Sequence, residues 1–570
     1  MTTLLDIQGL SVHFPGHVAV DNLDLRIAKG EMLALVGESG CGKSTTALSI
    51  MRLLPAQTKI GGAITLGGKD LLRLGERQLA DVRGNDISMI FQEPMTSLNP
   101  VMSIGRQVEE ALTLHLTLTR RQARARAIEL LRQVKLPDPE NRFDDYPHHL
   151  SGGQRQRVMI AMAIACQPDL LIADEPTTAL DVTIQSQILA LLDELRRELN
   201  MAVLLITHDL GVVAQWADRV AVMHNGRKLE EGPADRILRH PQHTYTQGLL
   251  HASLHLEQDA HYRRSRLPEI RYGDEQGFTL FQPSPRAAEA EIAPAAAASR
   301  PLLAIDGLTV TYESAQGDIA AVNDLSLRLH AGETLGLVGE SGCGKSTLSR
   351  AIMRLEQAQS GRIVFDGQDL LTLSRRRLLP WRKRIQMVFQ DPYGSLNPRQ
   401  SIDEILGYAL AIHGIKERRE RERRIVRILD DVGLPQSARQ RYPHEFSGGQ
   451  RQRIGIARAL VLRPQLLICD EPVSALDVSV QAQIINLLVD LKAELGLTYL
   501  FISHDLAVVR YIADRVLVMN GGRIVEEGDS EHIWHHPRHP YTRTLLDAVP
   551  GRKDRGRRPS DAPLFAAARS

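Results

Sequence analysis

The sequence predicts an α/β protein made of two large domains of the same type in tandem. The chain has 570 residues, whereas single hydrophobic cores stop growing at about 250–300 residues, so two domains are expected. Long motifs occur twice in the same order. Short apolar runs of strand length lead through loops into segments of helical periodicity, which is typical of α/β domains.

The repeated unit is a whole domain. Leu35–Thr45 reads LVGESGCGKST and recurs letter for letter at Leu337–Thr347, and SGGQRQR at Ser151–Arg157 recurs at Ser447–Arg453. A period of about 300 residues is far longer than that of a solenoid repeat. Residues 283–298 are rich in Pro and Ala, which predicts a poorly ordered linker. We place the domains at 1–256 and 302–550, the linker at 257–301 and a flexible tail at 551–570.

Composition is that of an ordinary globular protein, with 43% hydrophobic and 24% charged residues and a net charge of +1. This balance provides no overall field to attract nucleic acid or an anionic membrane. No apolar run approaches the about 20 residues of a membrane helix. Met1–Gly9 lack the basic start and apolar run of a signal peptide. We expect a cytoplasmic protein that reaches a membrane only through other chains.

A glycine-rich loop follows an apolar strand in both halves. Met32–Val36 leads into GESGCGKS at Gly37–Ser44, and a helical pattern follows. Glycines let backbone N–H groups point inward, and the helix N-terminus adds positive potential, which suits a triphosphate. We expect Lys43 to reach the β- and γ-phosphates and the Ser44 hydroxyl to ligate Mg²⁺. The expected ATP-binding residues are Gly37, Ser39, Gly40, Cys41, Gly42, Lys43, Ser44 and Thr45, and Gly339, Ser341, Gly342, Cys343, Gly344, Lys345, Ser346 and Thr347.

Each half also has an apolar strand that ends in two adjacent carboxylates. Leu170–Asp174 reads LLIAD and is followed by Glu175. We expect Asp174 to hold the Mg²⁺ shell and Glu175 to orient or deprotonate the attacking water. Asp470 and Glu471 repeat the arrangement.

A third motif resembles a known family. Two four-residue segments resemble the signature motif of ATP-binding cassette (ABC) proteins. They are Ser151, Gly152, Gly153 and Gln154 after Leu150, and Ser447, Gly448, Gly449 and Gln450 after Phe446. Phe446 replaces the usual Leu. The resemblance covers both repeats and implies, for each, a RecA-like P-loop NTPase core, an antiparallel β subdomain and a helical subdomain that carries the signature.

The resemblance also implies roles for residues outside these motifs. Gln92 and Gln390 match the glutamines that sense Mg²⁺ and contact the membrane partner, and His208 and His504 match the histidines that contact the γ-phosphate. Residues 179–181 and 475–477, both Ala-Leu-Asp, match the D-loops. Phe14 and Tyr312 lie where the family stacks an aromatic ring on adenine, although either could instead be a core aromatic.

In this family two domains face each other head to tail, and each ATP lies between one domain's phosphate loop and the other domain's signature. The first site then combines Lys43, Glu175 and His208 with Ser447, Gly449 and Gln450. The second combines Lys345, Glu471 and His504 with Ser151, Gly153 and Gln154. Since both sets are complete, we expect two active sites.

Subfamily features favour an importer. Two kinds of segment resemble the ATPases of oligopeptide, dipeptide, nickel and glutathione importers. The first kind is FQEPMTSLNP at Phe91–Pro100 and FQDPYGSLNP at Phe389–Pro398, and the second is His240–Leu250 and His536–Leu546. The resemblance implies two permease partners, a periplasmic or lipid-anchored solute-binding protein, and a place on the cytoplasmic face of the bacterial inner membrane. A soluble tandem ATPase acting on ribosomes or nucleic acid and an exporter ATPase remain alternatives.

Some relatives carry an iron–sulfur cluster after the C-terminal extension. This chain has no cysteine beyond Cys469 and none between Cys166 and Cys343. A cluster of that kind needs cysteine thiolates, so we expect none in either extension.

Overall fold

A computed structural model describes residues 2–92, 97–177, 180–253, 260–272, 278–283, 300–313, 317–474 and 476–549. The chain divides into two compact units, the first ending at Leu250 and the second beginning at His251. Within the described ranges, no helix is both long and apolar enough to cross a membrane.

The first unit combines an antiparallel sheet, in the strand order β2-β1-β4-β5, with a mostly parallel sheet in the order β10-β9-β3-β8-β7-β6. Its strands are β1 (Thr3–Phe14), β2 (His17–Ala28), β3 (Met32–Val36), β4 (Lys59–Leu66), β5 (Lys69–Asp70), β6 (Ile87–Ile90), β7 (Leu170–Asp174), β8 (Ala202–Ile206), β9 (Arg219–His224) and β10 (Arg227–Pro233). Its helices are α1 (Lys43–Ile50), α2 (Glu76–Val82), α3 (Ile104–His115), α4 (Arg120–Gln133), α5 (Pro139–Arg142), α6 (Gly152–Ala163), α7 (Val182–Glu198), α8 (Leu210–Trp216), α9 (Ala234–Arg239) and α10 (Thr244–Ala252), the last of which crosses the boundary between the units.

The second unit repeats this plan, with sheets ordered β14-β13-β16-β17 and β18-β19-β20-β15-β21-β22, and adds the hairpin β11-β12. Its strands are β11 (Glu269–Tyr272), β12 (Phe278–Phe281), β13 (Leu303–Tyr312), β14 (Ile319–Leu329), β15 (Thr334–Val338), β16 (Ser360–Phe365), β17 (Gln368–Asp369), β18 (Ile385–Val388), β19 (Leu466–Asp470), β20 (Thr498–Ile502), β21 (Arg515–Asn520) and β22 (Arg523–Asp529). Its helices are α11 (Lys345–Ile352), α12 (Arg375–Arg384), α13 (Pro392–Ser395), α14 (Ile402–Ile412), α15 (Arg418–Asp431), α16 (Gly448–Leu460), α17 (Val478–Leu495), α18 (Leu506–Ile512), α19 (Ser530–His535) and α20 (Pro540–Asp547).

The central strands are buried along their whole length. Every residue of β3, β7 and β8 is buried, as expected for parallel strands that are covered on both faces. These strands pair in parallel, so the loops that follow them meet at one edge of the sheet, where α/β proteins bind ligands. The predicted α/β class is therefore confirmed, and the same edge receives the phosphate loop, the paired carboxylates and the histidine.

Part of the predicted linker lies within the second unit and packs against its helices and strands. The Tyr262 hydroxyl donates a 2.9 Å hydrogen bond to Asp514, and the Asn486 side chain on α17 accepts from the Leu267 N–H and donates to its carbonyl oxygen. Arg266 is buried and donates to Asp490. Residues 260–272 thus belong with the second domain's surface. Residues 284–299 and the predicted tail lie outside the described residues.

Candidate active sites

Glycine is required where the phosphate loop bends against its own sheet. Gly37 and Gly42 have φ values of 152° and 103°, in the region that favours glycine. A Cβ atom at Gly37 would press against the Met223 carbonyl oxygen, and one at Gly42 would lie 2.5 Å from the Ala19 carbonyl oxygen. The loop therefore lies close to the neighbouring backbone, in a conformation that favours glycine at these two positions.

The lysine of each phosphate loop is hydrogen-bonded to the backbone of that loop. Lys43 Nζ donates to the carbonyl oxygens of Gly37 (2.7 Å) and Glu38 (2.8 Å), and its side chain is buried. Lys345 repeats these contacts with the same two positions of its own loop at the same distances. An ammonium group at the first turn of a helix, in a glycine-rich loop, is suited to bind the outer phosphates of a nucleotide.

The predicted Mg²⁺ ligands meet in both units. Ser44 Oγ donates to Asp174 Oδ1 at 3.1 Å, and Ser346 Oγ donates to Asp470 Oδ1 at 3.2 Å. Burial raises the pKa of both aspartates, and a bound cation would favour their ionised form. Mg²⁺ prefers oxygen ligands and is usually held by one or two carboxylates together with substrate phosphates and water, so this pair fits the ion.

The two glutamates that follow β7 and β19 adopt a conformation uncommon for residues other than glycine. Their φ values are 46° at Glu175 and 48° at Glu471, and such backbone strain concentrates at functional sites. The Gln92 side chain donates to Glu175 at 3.0 Å, and Gln390 donates to Glu471 at 2.8 Å. The structure thus brings each predicted glutamine to its predicted base.

In each half, the predicted histidine lies beside the same glutamate. His208 Nδ1 lies 3.5 Å from a Glu175 carboxylate oxygen, and His504 Nδ1 lies 3.0 Å from one of Glu471. Burial opposes both charges in the second unit, but the contact prevails, so the pKa of His504 is raised and that of Glu471 is lowered.

The signature residues begin helices α6 and α16. The Ser151 hydroxyl accepts from the Gln154 N–H, and the Gln154 side chain accepts from the Ser151 N–H at 3.0 Å, which is a reciprocal capping box. Ser447 and Gln450 repeat it. A Cβ atom at Gly153 would lie 2.7 Å from the Ile184 side chain, so this glycine permits close packing of α6 against α7. The expected pairing of each signature with the opposite loop stays a prediction.

The remaining predicted residues, two aromatic rings and the D-loops, have surroundings that differ between the two halves. Tyr312 is partly exposed, and its hydroxyl lies 3.4 Å from Thr347 of the phosphate loop. Phe14 is half-buried against the core of the antiparallel sheet. Adenine stacking by either ring stays a prediction. Asp181 caps α7 by accepting from the Ile184 N–H, whereas the D-loop residues 179 and 475 lie outside the described residues.

The sequence reading missed two contacts. Ser349 Oγ donates to Asp470 Oδ2 at 3.2 Å, and the matching residue of the first repeat is Ala47. Tyr541, in the C-terminal extension, accepts a hydrogen bond from the phosphate loop through Glu340 N. Comparison of the two repeats could have drawn attention to Ser349, but no local motif indicates the Tyr541 contact.

This arrangement defines the class of protein, a P-loop nucleoside triphosphatase with one nucleotide site in each half. The family model described as ABC transporter matches residues 20–178 and 322–474, and the chain belongs to that family. Its members couple ATP hydrolysis to transport, so the chain is an ATP-binding ATPase. A second model, the oligopeptide/dipeptide transporter C-terminal region, matches residues 229–278 and 525–568.

Curated relatives match nearly the whole chain. A glutathione import ATP-binding protein, GsiA, of Pectobacterium atrosepticum is 47% identical over 96% of this chain and 89% of its own length. A peptidoglycan transport ATP-binding protein, YejF, of Agrobacterium fabrum is 49% identical over 96% of both. Among solved structures, a dimeric post-hydrolysis state of the ATP-binding cassette MJ0796 is 29% identical over 40% of this chain and 98% of that chain, with a TM-score of 0.38.

Proposed function

We propose that this chain powers the import of peptides or small peptide-like solutes, such as dipeptides, oligopeptides or glutathione, by hydrolysing Mg·ATP on the cytoplasmic face of a bacterial inner membrane. The main support is that each half contains a complete set of loop, carboxylate, glutamine and histidine contacts. The C-terminal regions matched by the peptide-transporter model, and the relatives named for glutathione and peptidoglycan transport, favour this cargo class.

The chemistry in each half is one of positioning and charge stabilisation. Lys43 and Lys345 bind the outer phosphates, and Glu175 and Glu471 orient the attacking water and accept its proton. Ser44 with Asp174, and Ser346 with Asp470, would hold Mg²⁺, which would neutralise phosphate charge when bound. His208 and His504 lie beside those glutamates and contact the γ-phosphate, so they link the water-binding carboxylate to the presence of ATP.

Transport follows from a difference in affinity between two states. If each triphosphate lies between one loop and the opposite signature, ATP favours the closed pair of domains and ADP does not. A shift from mostly open to mostly closed needs about 5.5 kcal/mol, which two γ-phosphates can supply together. Ser151 and Ser447, at the starts of their helices, are the residues that would complete the facing sites.

The permease partners have a candidate surface on α14 of the second unit. This helix exposes Tyr408 (62%) and Ile412 (47%) one helical turn apart. Exposed apolar side chains grouped in this way are typical of protein contacts, and we assign this pair to the cytoplasmic end of a permease.

The test is reconstitution of the full chain with the two permeases and the solute-binding protein of its own transport system in proteoliposomes. We expect the complex to take up labelled glutathione or short peptides only with ATP and the binding protein. Tyr408→Asp should reduce permease association while ATP binding by the isolated chain is kept. Copurification with ribosomes in place of permeases would instead support the soluble tandem ATPase.

A further inference from the structure

The C-terminal extension of the second unit is fixed to the sheet that carries the phosphate loop. Glu526 on β22 accepts hydrogen bonds from the N–H groups of Arg538 (2.7 Å) and His539 (3.1 Å). His539 Nδ1 then accepts from the Tyr541 N–H at 3.2 Å, which caps α20. Because Leu545 and Leu546 of α20 are buried in the core, the start of this helix has a defined position.

The extension reaches the phosphate loop through one hydroxyl group. The Glu340 N–H donates to the Tyr541 hydroxyl at 3.1 Å. Glu340 is the second residue of the loop, and its carbonyl oxygen accepts from Lys345 Nζ at 2.8 Å. A single residue of the loop therefore contacts the extension with its N–H and the phosphate-binding lysine with its carbonyl oxygen.

We propose that Tyr541 is a positioning residue for the second ATP site: its hydroxyl fixes Glu340, and Glu340 in turn fixes the ammonium group of Lys345. This inference rests on the proposed role of Lys345. The C-terminal extension is then a structural part of the ATP site, in addition to any role in binding partners. Loss of the hydroxyl frees the loop to leave the conformation in which its lysine meets the outer phosphates.

The first unit has a matching extension, but a different residue lies beside its tyrosine. Glu230 accepts from the N–H groups of Gln242 and His243, and His243 Nδ1 accepts from the Tyr245 N–H at 3.1 Å. Tyr245 is fully buried, with its ring centroid 4.5 Å from that of His224. Asn520 occupies the place of His224 in the second unit. The ring of Tyr245 thus contacts an aromatic ring at a position where the second unit has Asn520.

The test is Tyr541→Phe in the full chain, which removes the hydroxyl and keeps the ring. Lys43→Ala silences the first loop, and Glu471→Gln prevents turnover during a calorimetric titration with Mg·ATP. A neutral hydrogen bond contributes about 0.5–1.5 kcal/mol, so we expect the Kd for Mg·ATP to rise about 2- to 13-fold. The Kd for Mg·ADP should rise less, because the lysine loses its γ-phosphate contact only with ATP.

Two comparisons separate this role from a structural one. Thr544 is exposed on the same helix, so Thr544→Val should leave the affinities for Mg·ATP and Mg·ADP unchanged. Glu526→Gln should weaken Mg·ATP binding in the same direction as Tyr541→Phe, because it loosens the turn that places the tyrosine. If Tyr541→Phe lowers the melting temperature and weakens ATP and ADP equally, the hydroxyl is structural and the inference is overturned.

Lys345→Ala in the same background distinguishes the inference from the site assignment on which it depends. We expect this variant to lose Mg·ATP binding at the second loop. Unchanged binding in Lys345→Ala would remove the proposed site itself. Loss of binding in Lys345→Ala with parent-like affinity in Tyr541→Phe would overturn only the positioning role.

Discussion

The two halves contain the same groups around their predicted nucleotide sites, but some of the contacts made by these groups differ. The histidine nitrogen lies 3.0 Å from the glutamate in the second half and 3.5 Å in the first. Asp470 accepts from two serines, including Ser349, whereas Ala47 occupies the matching place in the first half. The two halves thus share the predicted site residues but differ in neighbouring residues such as Ser349 and Ala47.

The supporting residues also differ at the opposite end of the sheet. Lys492 on α17 is buried, and its ammonium group donates to Tyr262 at 2.9 Å and Thr334 at 2.6 Å and lies 3.3 Å from Asp514. Arg196 takes this place in the first half, where it pairs with buried Asp193 at 2.9 Å and lies 3.6 Å from Asp218, whose side chain is 48% exposed. The segment that begins with Tyr262 therefore adds to the second half a buried polar network that spans α17 and the strand leading to the phosphate loop.

The largest expected effect tests whether the two sites share one chemistry. Glu175→Gln together with Glu471→Gln should lower ATP turnover by about 10³-fold, because a positioned general base typically contributes 10²–10⁴. Mg·ATP binding should be retained, since the substitution keeps the size of the side chain. Steady-state phosphate release and equilibrium ATP binding on the purified chain measure the two effects.

The single variants sharpen the comparison between halves. If both sites hydrolyse ATP at equal rates, Glu175→Gln and Glu471→Gln should each remove at least half of the turnover. A single variant with the parent rate would mean that its half does not hydrolyse ATP. Near-normal turnover in the double variant would exclude both carboxylates from the mechanism.

The sequence was sufficient for the parts of the site that depend on local motifs. Gly37 needs a backbone conformation and a close approach that favour glycine, and Glu175 follows a fully buried strand, so both could be placed from their neighbours alone. The support residues could not, because Ser349 and Tyr541 act through tertiary contacts that no short motif encodes. The packing of Tyr262 was missed for the same reason. The composition of the segment predicts a linker and gives no sign of a buried polar contact.

The second expected effect concerns the network around Lys492. Lys492→Met should destabilise α17 by about 3 kcal/mol, because removal of one partner leaves the buried carboxylate of Asp514 with incomplete compensation. Hydrogen exchange of the α17 peptide measures this locally, which avoids assuming a two-state transition for a two-domain chain.

Arg196→Met is the matched variant in the first half. Its effect on the exchange of α7 should be smaller, because buried Asp193 keeps Arg197 as a partner and water can solvate half-exposed Asp218. Equal losses of protection in the two helices would contradict the view that the segment around Tyr262 makes the second half a more tightly held structure.

The smallest expected effect is the pH dependence of the contact between His504 and Glu471. The contact raises the pKa of His504, so its stabilisation is full below the ordinary histidine pKa and is lost as the pH rises through the raised value. It lowers the pKa of Glu471, so stabilisation is also lost as the pH falls through that lowered value. Within this window the pair should contribute about 1.5 kcal/mol. Nuclear magnetic resonance titration of His504 should show its pKa falling in Glu471→Gln, because burial then acts without the carboxylate; an unchanged titration would mean that the shorter distance in the second half has no energetic consequence.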